Sequence, residues 1–140
     1  MEIILWRHAD AEDGADDMAR RLTPRGEAQA AAMANWLRRH LPPEYVVLAS
    51  PARRAQQTAA ALQAAIRTEP DLAPGAAAKR ILELCGRPRG LVIVVGHQPD
   101  LGKAAAQLVA HAHADWSIEK GALWWIEGRR VKAVLSPDLL

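Results

Sequence analysis

Three short apolar runs, each ending abruptly in polar residues, constrain the fold of this chain more than any other feature. The runs and the polar residues after them are Ile3 to Trp6 before Arg7-His8, Val46 to Ala49 before Ser50-Pro51, and Leu91 to Val95 before Gly96-His97. Apolar runs of this length, followed by helical patterns, are typical of strands buried on both faces of a parallel sheet. Ligands bind at the carboxyl edge of such sheets. The sequence therefore predicts a three-layer α/β/α fold with a central, mostly parallel sheet and a polar site at one edge.

The segments between and after these runs predict four helices, one weaker strand and a terminal hairpin. Threonine before proline at Thr23-Pro24 is a helix-start signal, and Ser50-Pro51 repeats it. The predicted elements are a helix from Pro24 to about His40, a helix after Ser50-Pro51 with an apolar stripe from Ala55 to Ile66, a weak strand from Thr68 to Leu72, a helix marked by Ala78 to Cys85, a helix from Pro99, and a hairpin of Ala122 to Ile126 with Arg130 to Leu135. The segment from Ala11 to Arg21 has no clean period and is predicted to be a surface loop beside the site.

Length, charge and cysteine content limit the number of domains, the partners and the cellular location that we expect for this chain. A chain of 140 residues with 50% hydrophobic content predicts one domain, residues 1–140. The 18 basic and 16 acidic residues leave a small net charge, and the basic residues are scattered in pairs, which argues against nucleic acid as a partner. The first apolar run is too short for a signal peptide or a membrane span. Cys85 is the only cysteine and lies in a helical apolar pattern, so we expect a buried thiol and no disulfide. Because we also expect no signal peptide and no membrane span, the expected location is the cytoplasm and no membrane is expected as a partner.

Arginines beside histidines at a sheet edge suit a phosphoryl group. A guanidinium matches two phosphate oxygens at once, and helix N-termini after Pro51 and Pro99 add amide donors. Imidazole is a nucleophile only when it is neutral. The charges of Arg7 and Arg54 are expected to hold the pKa of His8 below its usual value, and so to keep the ring neutral at neutral pH.

Three motifs in register with these strands, and a fourth between the first two, resemble those of the histidine phosphatase superfamily, the phosphoglycerate-mutase-like clan. They are Arg7-His8, Leu22-Thr23-x-x-Gly26-x-x-Gln29-Ala30, Ser50-Pro51-x-x-Arg54-Ala55-x-Gln57-Thr58-Ala59 and Gly96-His97-x-Pro99. The short length and the Arg20-x-Leu22-Thr23 spacing are most similar to the SixA-type phosphohistidine phosphatases.

The resemblance implies an enzyme and assigns a role to each matching residue. His8 is the implied nucleophile, which accepts the phosphoryl group. Arg7, Arg54 and His97 are the implied phosphate pocket, and Arg20 matches a basic position that reaches the phosphate or the rim of the substrate site. The implied activity is a phosphatase that acts through a phosphohistidine intermediate, without a metal or other cofactor. The implied substrate is phosphohistidine in a signalling protein, such as a histidine phosphotransfer domain.

Two positions depart from the family pattern. Ala9 replaces the glycine that usually follows the Arg-His pair, a modest change if the backbone there has negative φ. Many superfamily members place a general-acid glutamate shortly after the third strand, whereas Leu72-Ala73-Pro74 offers no acid. The nearby acids match no family position and leave the proton donor open; they are Asp10, Asp13, Asp16 and Asp17.

Other functions remain open from the sequence alone. Within the enzyme class, the alternatives are a phosphatase of a small phosphate ester and a mutase, although a mutase normally needs a closing lid that this chain has little sequence to build. Outside it, the alternatives are a catalytically inactive phosphate-binding module and a metallohydrolase built on His8, Asp10, His97 and Asp100. The His111-x-His113-x-Asp115 pattern could bind a metal, but we expect an exposed helix end there.

Overall fold

The computed structural model describes residues 1–140, and its element bounds match most of the predicted pattern. The strands are β1 (Glu2–Arg7), β2 (Tyr45–Ala49), β3 (Ile66–Thr68), β4 (Leu91–Gly96), β5 (Leu123–Glu127) and β6 (Arg130–Leu135). The helices are α1 (Pro24–His40), α2 (Arg53–Ala60), α3 (Ala78–Gly86) and α4 (Asp100–Ala110). Short 3-10 turns occupy Asp17–Ala19, Pro70–Leu72 and Pro137–Leu139. None of the helices has the length and apolarity that crossing a bilayer requires.

The six strands form one sheet in the order β3-β2-β4-β1-β5-β6. The pairs β3-β2, β2-β4 and β4-β1 are parallel, and β5 and β6 extend the sheet with antiparallel pairs. Strand β4 therefore lies between β1 and β2, with Arg7 opposite Gly96 and Ala49 opposite Val95. This order places the carboxyl ends of the three predicted core strands side by side.

Each face of the sheet has its own apolar core, and this explains the uninterrupted apolar runs. Ile4 and Trp6 face a core shared with α1 and α2, whereas Ile3 and Leu5 face a core shared with α3 and α4. All four side chains are fully buried. Burying side chains of this size stabilises a fold by about 1.5–3 kcal/mol each, so polar residues are excluded until the strand ends. The predicted three-layer arrangement is confirmed.

The helix α1 begins as the sequence predicts and is anchored at a glycine. Thr23 caps it by accepting a hydrogen bond from the Gly26 amide at 3.0 Å. A Cβ atom on Gly26 would lie 1.9 Å from the carbonyl oxygen of Asp10. The first turn of α1 therefore packs directly on the loop that follows β1, at a distance that only glycine allows.

Some element boundaries predicted from the sequence are wrong. The helix α2 begins at Arg53 rather than at Pro51, because the Ser50 hydroxyl accepts a hydrogen bond from the Ala52 amide in a turn that precedes the helix. It ends at Ala60, and a left-handed residue, Gln63 with φ 57°, follows. The predicted weak strand lies earlier, at Ile66–Thr68, and Pro70–Leu72 form a 3-10 turn because proline cannot donate to a strand ladder.

Candidate active site

The carboxyl ends of β1, β2 and β4 bring three of the predicted site residues together. His8 follows β1, His97 follows β4, and Arg54 lies in the first turn of α2, which follows β2. The rings of His8 and His97 lie 5.2 Å apart between centroids. Arg54 bridges them, with its Nε atom 3.4 Å from His8 Nε2 and its Nη2 atom 3.4 Å from His97 Nδ1. All three side chains are buried.

His8 is held as a neutral ring with a defined tautomer. Its Nδ1 atom lies 2.8 Å from the carbonyl oxygen of Ala9, which can only accept, so Nδ1 carries the proton. The Nε2 atom is then unprotonated, and its lone pair accepts a hydrogen bond from Arg54 Nε at 3.4 Å. Burial lowers the pKa of His8 to about 4, and the charges of Arg54, Arg7 and Arg20 add to this, against the opposing bond to Ala9. The lowering expected from the arginines is present, but burial is its larger cause.

His97 is also neutral and is oriented by a serine. Its Nε2 atom lies 2.7 Å from Ser50 Oγ, and its Nδ1 atom accepts from Arg54. Burial lowers the pKa of His97 to about 3, with the neighbouring His8 and Arg54 next in size. The sequence predicts Ser50 as a helix cap, and its contact with His97 was missed. The signal was its position directly after an apolar run, the same position that His8 and His97 occupy.

Arg7 is the last residue of β1, directly before His8, and it has one donor unused. Its Nη1 atom donates to the carbonyl oxygen of Ile118 at 2.9 Å, whereas its Nε atom is buried and has no hydrogen-bond partner. Burial lowers the pKa of Arg7, and Glu119 opposes that shift. An unsatisfied buried donor costs about 1–3 kcal/mol, so an oxyanion beside Arg7 would stabilise it.

A polar cleft of about 430 Å³ opens beside Arg7. Its wall contains no hydrophobic residue; the other lining residues are Asp10, Arg25, Gln29, Ser117, Glu119, Lys120, Ser136, Pro137 and Asp138. Arg7 lines this cleft, whereas His8, Arg54 and His97 do not. Sequence analysis missed Glu119 here, because the loop before β5 matches no motif.

Arg20 approaches the site from the loop that precedes α1. Its Nε atom donates to the carbonyl oxygen of Glu12 at 2.7 Å, and its Nη1 atom donates to Asp17 Oδ1 at 3.1 Å. It makes no hydrogen bond to His8, but its charge contributes to the lowered pKa of that ring. The structure thus places Arg20 at the rim and not among the three bridged side chains.

Two aspartates that sequence analysis considers as proton donors are held as carboxylates. Asp10 accepts a hydrogen bond from Thr23 at 2.7 Å and one from Lys120 at 3.1 Å, and both lower its pKa, Thr23 more strongly. Asp17 accepts from Arg20 and Arg54, and these contacts lower its pKa as well. A carboxylate held in its charged form has no proton to donate.

The two remaining candidate donors are exposed, and the carboxylate of Asp100 is bonded to backbone amides. Asp13 and Asp16 are exposed residues of the same loop. Asp100 is buried, and desolvation raises its pKa, but its carboxylate accepts from the amides of Gly75 and Ala76. It therefore ties the loop after the Pro70–Leu72 turn to the start of α4.

The other motif residues support the backbone around His8. Thr58 accepts from the Ala9 amide at 3.0 Å and donates to the carbonyl oxygen of Arg54 at 2.8 Å. Gln29 accepts from the Asp10 amide at 3.0 Å. Ala9 is not among the residues with positive φ, so its methyl group replaces glycine without backbone strain. The motif thus specifies the loop that carries the histidine as well as the polar site.

The residues of the metallohydrolase alternative do not form a ligand cluster. No group of three or more histidine, cysteine, aspartate or glutamate side chains is arranged to hold a metal ion. The oxygens of Asp10 and Asp100 are bonded to groups of the protein, as described above. His111 ends α4 in the left-handed conformation, and His113 and Asp115 are exposed.

Comparisons with known proteins agree with this geometry. The family model of the histidine phosphatase superfamily (branch 1) matches residues 3–77. The phosphohistidine phosphatase SixA of Escherichia coli (strain K12) is 32% identical over 119 residues, which cover 77% of this chain and 74% of that protein. The solved structure of the protein histidine phosphatase SixA complexed with tungstate matches with a TM-score of 0.85 at 25% identity over 99% of both chains. Phosphoglycerate mutase from Thermus thermophilus, at 19% identity, shares the fold with a TM-score of 0.73 over 97% of this chain and 99% of its own.

Proposed function

Because the chain belongs to the histidine phosphatase superfamily and is a phosphatase, we propose that it removes the phosphoryl group of phosphohistidine from a protein, through a phosphorylated His8. The proposed substrate is a phosphohistidine-bearing signalling protein such as a phosphotransfer domain, and the proposed compartment is the cytoplasm. The similarity to the phosphohistidine phosphatase of Escherichia coli supports the substrate class.

One observation carries the catalytic part of the proposal. The Nε2 lone pair of His8 accepts a hydrogen bond from the guanidinium of Arg54, while Nδ1–H donates to the Ala9 carbonyl oxygen. A nucleophile that attacks a phosphoryl group needs an unprotonated lone pair and a cation beside the group that it attacks. Both are present at a single nitrogen atom, at neutral pH, because the pKa of His8 is lowered to about 4.

The first proposed step moves the phosphoryl group onto His8. The Nε2 lone pair attacks phosphorus and forms a P–N bond, while the bond between phosphorus and the substrate imidazole nitrogen breaks. The substrate ring keeps the electron pair of the broken P–N bond. Its other nitrogen takes a proton from water, and the ring leaves as neutral imidazole. The Nδ1–H group of His8 keeps its hydrogen bond to the Ala9 carbonyl oxygen, which stabilises the positive charge that the His8 ring acquires.

The second step returns the enzyme to its starting state. Water attacks phosphorus, the bond from phosphorus to His8 Nε2 breaks, and inorganic phosphate leaves. In both steps the phosphoryl oxygens carry negative charge, which Arg7 and Arg54 would stabilise through charge-assisted hydrogen bonds. The unused Nε donor of Arg7 supports this assignment. His97, held by Ser50, would form the remaining wall of the phosphate pocket.

The proposed substrate class follows from the acids of the site. An alkyl phosphate expels a poor alkoxide, so a positioned proton donor typically contributes about 10²–10⁴-fold to its cleavage. Asp10 and Asp17 are held as carboxylates by their partners. Phosphohistidine needs no fixed donor, since its imidazole leaves as a neutral ring. We therefore expect phosphoramidates and aryl esters to be better substrates than alkyl esters.

The dependence of turnover on the leaving group tests this proposal. We would measure kcat/KM for aryl and alkyl phosphates of graded leaving-group pKa, and for a phosphohistidine-bearing phosphotransfer domain, with and without a chelator. We expect a steep dependence, phosphohistidine among the best substrates, and no effect of the chelator. A flat dependence would contradict the substrate class and favour a small-ester phosphatase with a donor such as Glu119, which lines the cleft with Arg7.

A further inference from the structure

The guanidinium of Arg54 has two hydrogen-bonding edges, and they face different partners. The edge formed by Nε and Nη2 faces the two histidines, at 3.4 Å from His8 Nε2 and 3.4 Å from His97 Nδ1. The edge formed by Nη1 and Nη2 faces Asp17, whose carbonyl oxygen lies 2.7 Å from Nη1 and whose Oδ2 lies 3.2 Å from Nη2. A single residue therefore binds the whole outer edge of the guanidinium.

This contact determines where the inner edge points. A guanidinium is planar and rigid, so holding two of its nitrogens also sets the direction of the third. The Arg54 side chain is 5% exposed, whereas the Asp17 side chain is 56% exposed. Asp17 thus covers Arg54 from the solvent side and lies opposite the histidines. Exposed ion pairs contribute little to stability, so the main consequence of this contact is geometric.

The carboxylate of Asp17 also binds a second arginine, Arg20, which lies in the loop between β1 and α1. Its Oδ1 atom accepts from Arg20 Nη1 at 3.1 Å, while Arg20 Nε donates to the Glu12 carbonyl oxygen. Asp17 therefore joins a buried arginine of α2 to an arginine of the loop between β1 and α1. Its neighbour Asp16 has the same charge and is exposed, and it makes no side-chain cap hydrogen bond.

We propose that Asp17 is a positioning residue for the phosphoryl transfer: by binding the outer edge of Arg54 it turns the Nε–Nη2 edge toward the space between His8 and His97. This inference rests on the proposed function, in which the phosphoryl group occupies that space. The inner edge then receives two phosphoryl oxygens side-on, while the outer edge keeps its contact with Asp17. Substrate and Asp17 use different edges and do not compete.

The opposite arrangement would make Asp17 an internal plug. In that case its carboxylate would occupy the place of a phosphate on Arg54, and substrate would have to displace it. The two arrangements predict opposite effects of removing the carboxylate. A plug slows the reaction and weakens the binding of every oxyanion, whereas a positioning residue favours the transition state over the bound product.

The test compares D17A and D17N with the matched variants D16A and D16N, which remove the same charge from the same loop. For each protein we would measure kcat on an aryl phosphate, and the Kd values of vanadate and inorganic phosphate by calorimetry. Vanadate mimics the five-coordinate phosphorus of the transition state. Misplacing a reacting group by about 1 Å can cost about 10²-fold.

We expect kcat of D17A to fall about tenfold to a hundredfold and vanadate binding to weaken by a similar factor, because it follows the transition state. Phosphate binding should not weaken, since the lost negative charge beside Arg54 offsets the lost orientation. D17N keeps one acceptor oxygen and should lie between D17A and the wild type. D16A and D16N should match the wild type.

Two results would overturn the inference. If D17A and D17N matched their Asp16 counterparts in kcat and in vanadate binding, Asp17 would have no positioning role. If both variants gained activity and bound vanadate and phosphate more tightly, Asp17 would be a plug. A wild-type protein without turnover would instead reject the proposed function. In that case the Kd values of vanadate and inorganic phosphate for the Asp17 variants would still test whether Asp17 positions Arg54. Circular dichroism would verify folding, and D17N serves if D17A is unfolded.

Discussion

The Oγ atom of Ser50 lies 2.7 Å from Nε2 of His97, at the carboxyl ends of the neighbouring strands β2 and β4. Because Arg54 donates to the other ring nitrogen of His97, the ring proton is on Nε2, and this N–H group donates a hydrogen bond to Ser50 Oγ. Arg54 therefore selects the tautomer of His97, and the Ser50 hydroxyl holds the ring by accepting from its Nε2–H group. The same hydroxyl accepts from the Ala52 amide, so it also shapes the turn that leads to Arg54.

Removing this hydroxyl should slow the reaction without unfolding the protein. A neutral hydrogen bond is worth about 0.5–1.5 kcal/mol, which corresponds to about two- to tenfold in rate. We expect kcat of S50A on an aryl phosphate to fall by that factor. Thr68 provides a matched control, since T68A removes an exposed hydroxyl that accepts from Gln56 and should leave kcat unchanged. Equal rates for wild type and S50A would show that Ser50 does not act through His97.

Arg54 and its neighbour Arg53 give a paired test of the phosphate pocket. Arg54 is buried and contacts both histidines, whereas Arg53 is exposed and lies outside the cluster. Losing one preorganised charge-stabilising donor costs on the order of 10²–10³ in kcat, so we expect this loss for R54A and near wild-type activity for R53A. R7A should resemble R54A. Comparable losses for R53A and R54A would mean a general charge effect rather than a defined contact.

Stability should fall as the solution is acidified through the titration range of free histidine. The unfolded chain binds protons at His8 and His97 below pH about 6.5, whereas the folded protein binds them only near pKa values of about 4 and about 3. Between these limits the unfolded state holds more protons, so the free energy of unfolding decreases as pH falls, by up to about 1.4 kcal/mol per pH unit for each histidine.

Denaturant unfolding between pH 7 and pH 4.5 would measure this slope. H97Q should reduce the slope, because it removes one of the two groups. H113Q alters an exposed histidine and should keep the wild-type dependence. A wild-type stability that does not change over this range would contradict the burial of two neutral histidines.

The contact between α1 and the loop after β1 can be tested with two glycines. A Cβ at Gly26 would lie 1.9 Å from the Asp10 carbonyl oxygen, whereas a Cβ at Gly86 would meet nothing nearer than 3.6 Å. Overpacking typically costs about 1–3 kcal/mol, so G26A should lower the free energy of unfolding by roughly this amount and also reduce kcat. G86A should be neutral or slightly stabilising. Equal free energies of unfolding for the two variants would show that the loop after β1 moves to accommodate the added methyl group without destabilising the protein.

The sequence predicted the sheet and its polar edge well because each depends on a local pattern. Runs such as Leu91 to Val95 have no polar residue to place on either face, which leaves a central strand as the simple solution. Thr23 is followed directly by a proline, and its cap on α1 is confirmed. These features need no knowledge of distant residues.

Other features depend on contacts between distant residues. The buried face of α1 is one of them, because Ala30 and Ala34 are buried whereas Ala28 is exposed. A helix rich in alanine has little contrast between its faces. The same limit applies to Asp17, since one aspartate among several in an acidic loop has no pattern that predicts its contact with Arg54.

The phosphorylated enzyme intermediate tests the central claim most directly. We would mix the protein with a phosphohistidine-bearing domain labelled with radioactive phosphate, quench in alkali within the first turnover, and locate the label by mass spectrometry. The account predicts an acid-labile, alkali-stable phosphoryl group on His8, with no label and no turnover in H8A. Turnover that continues in H8A, or a label at another residue, would contradict it.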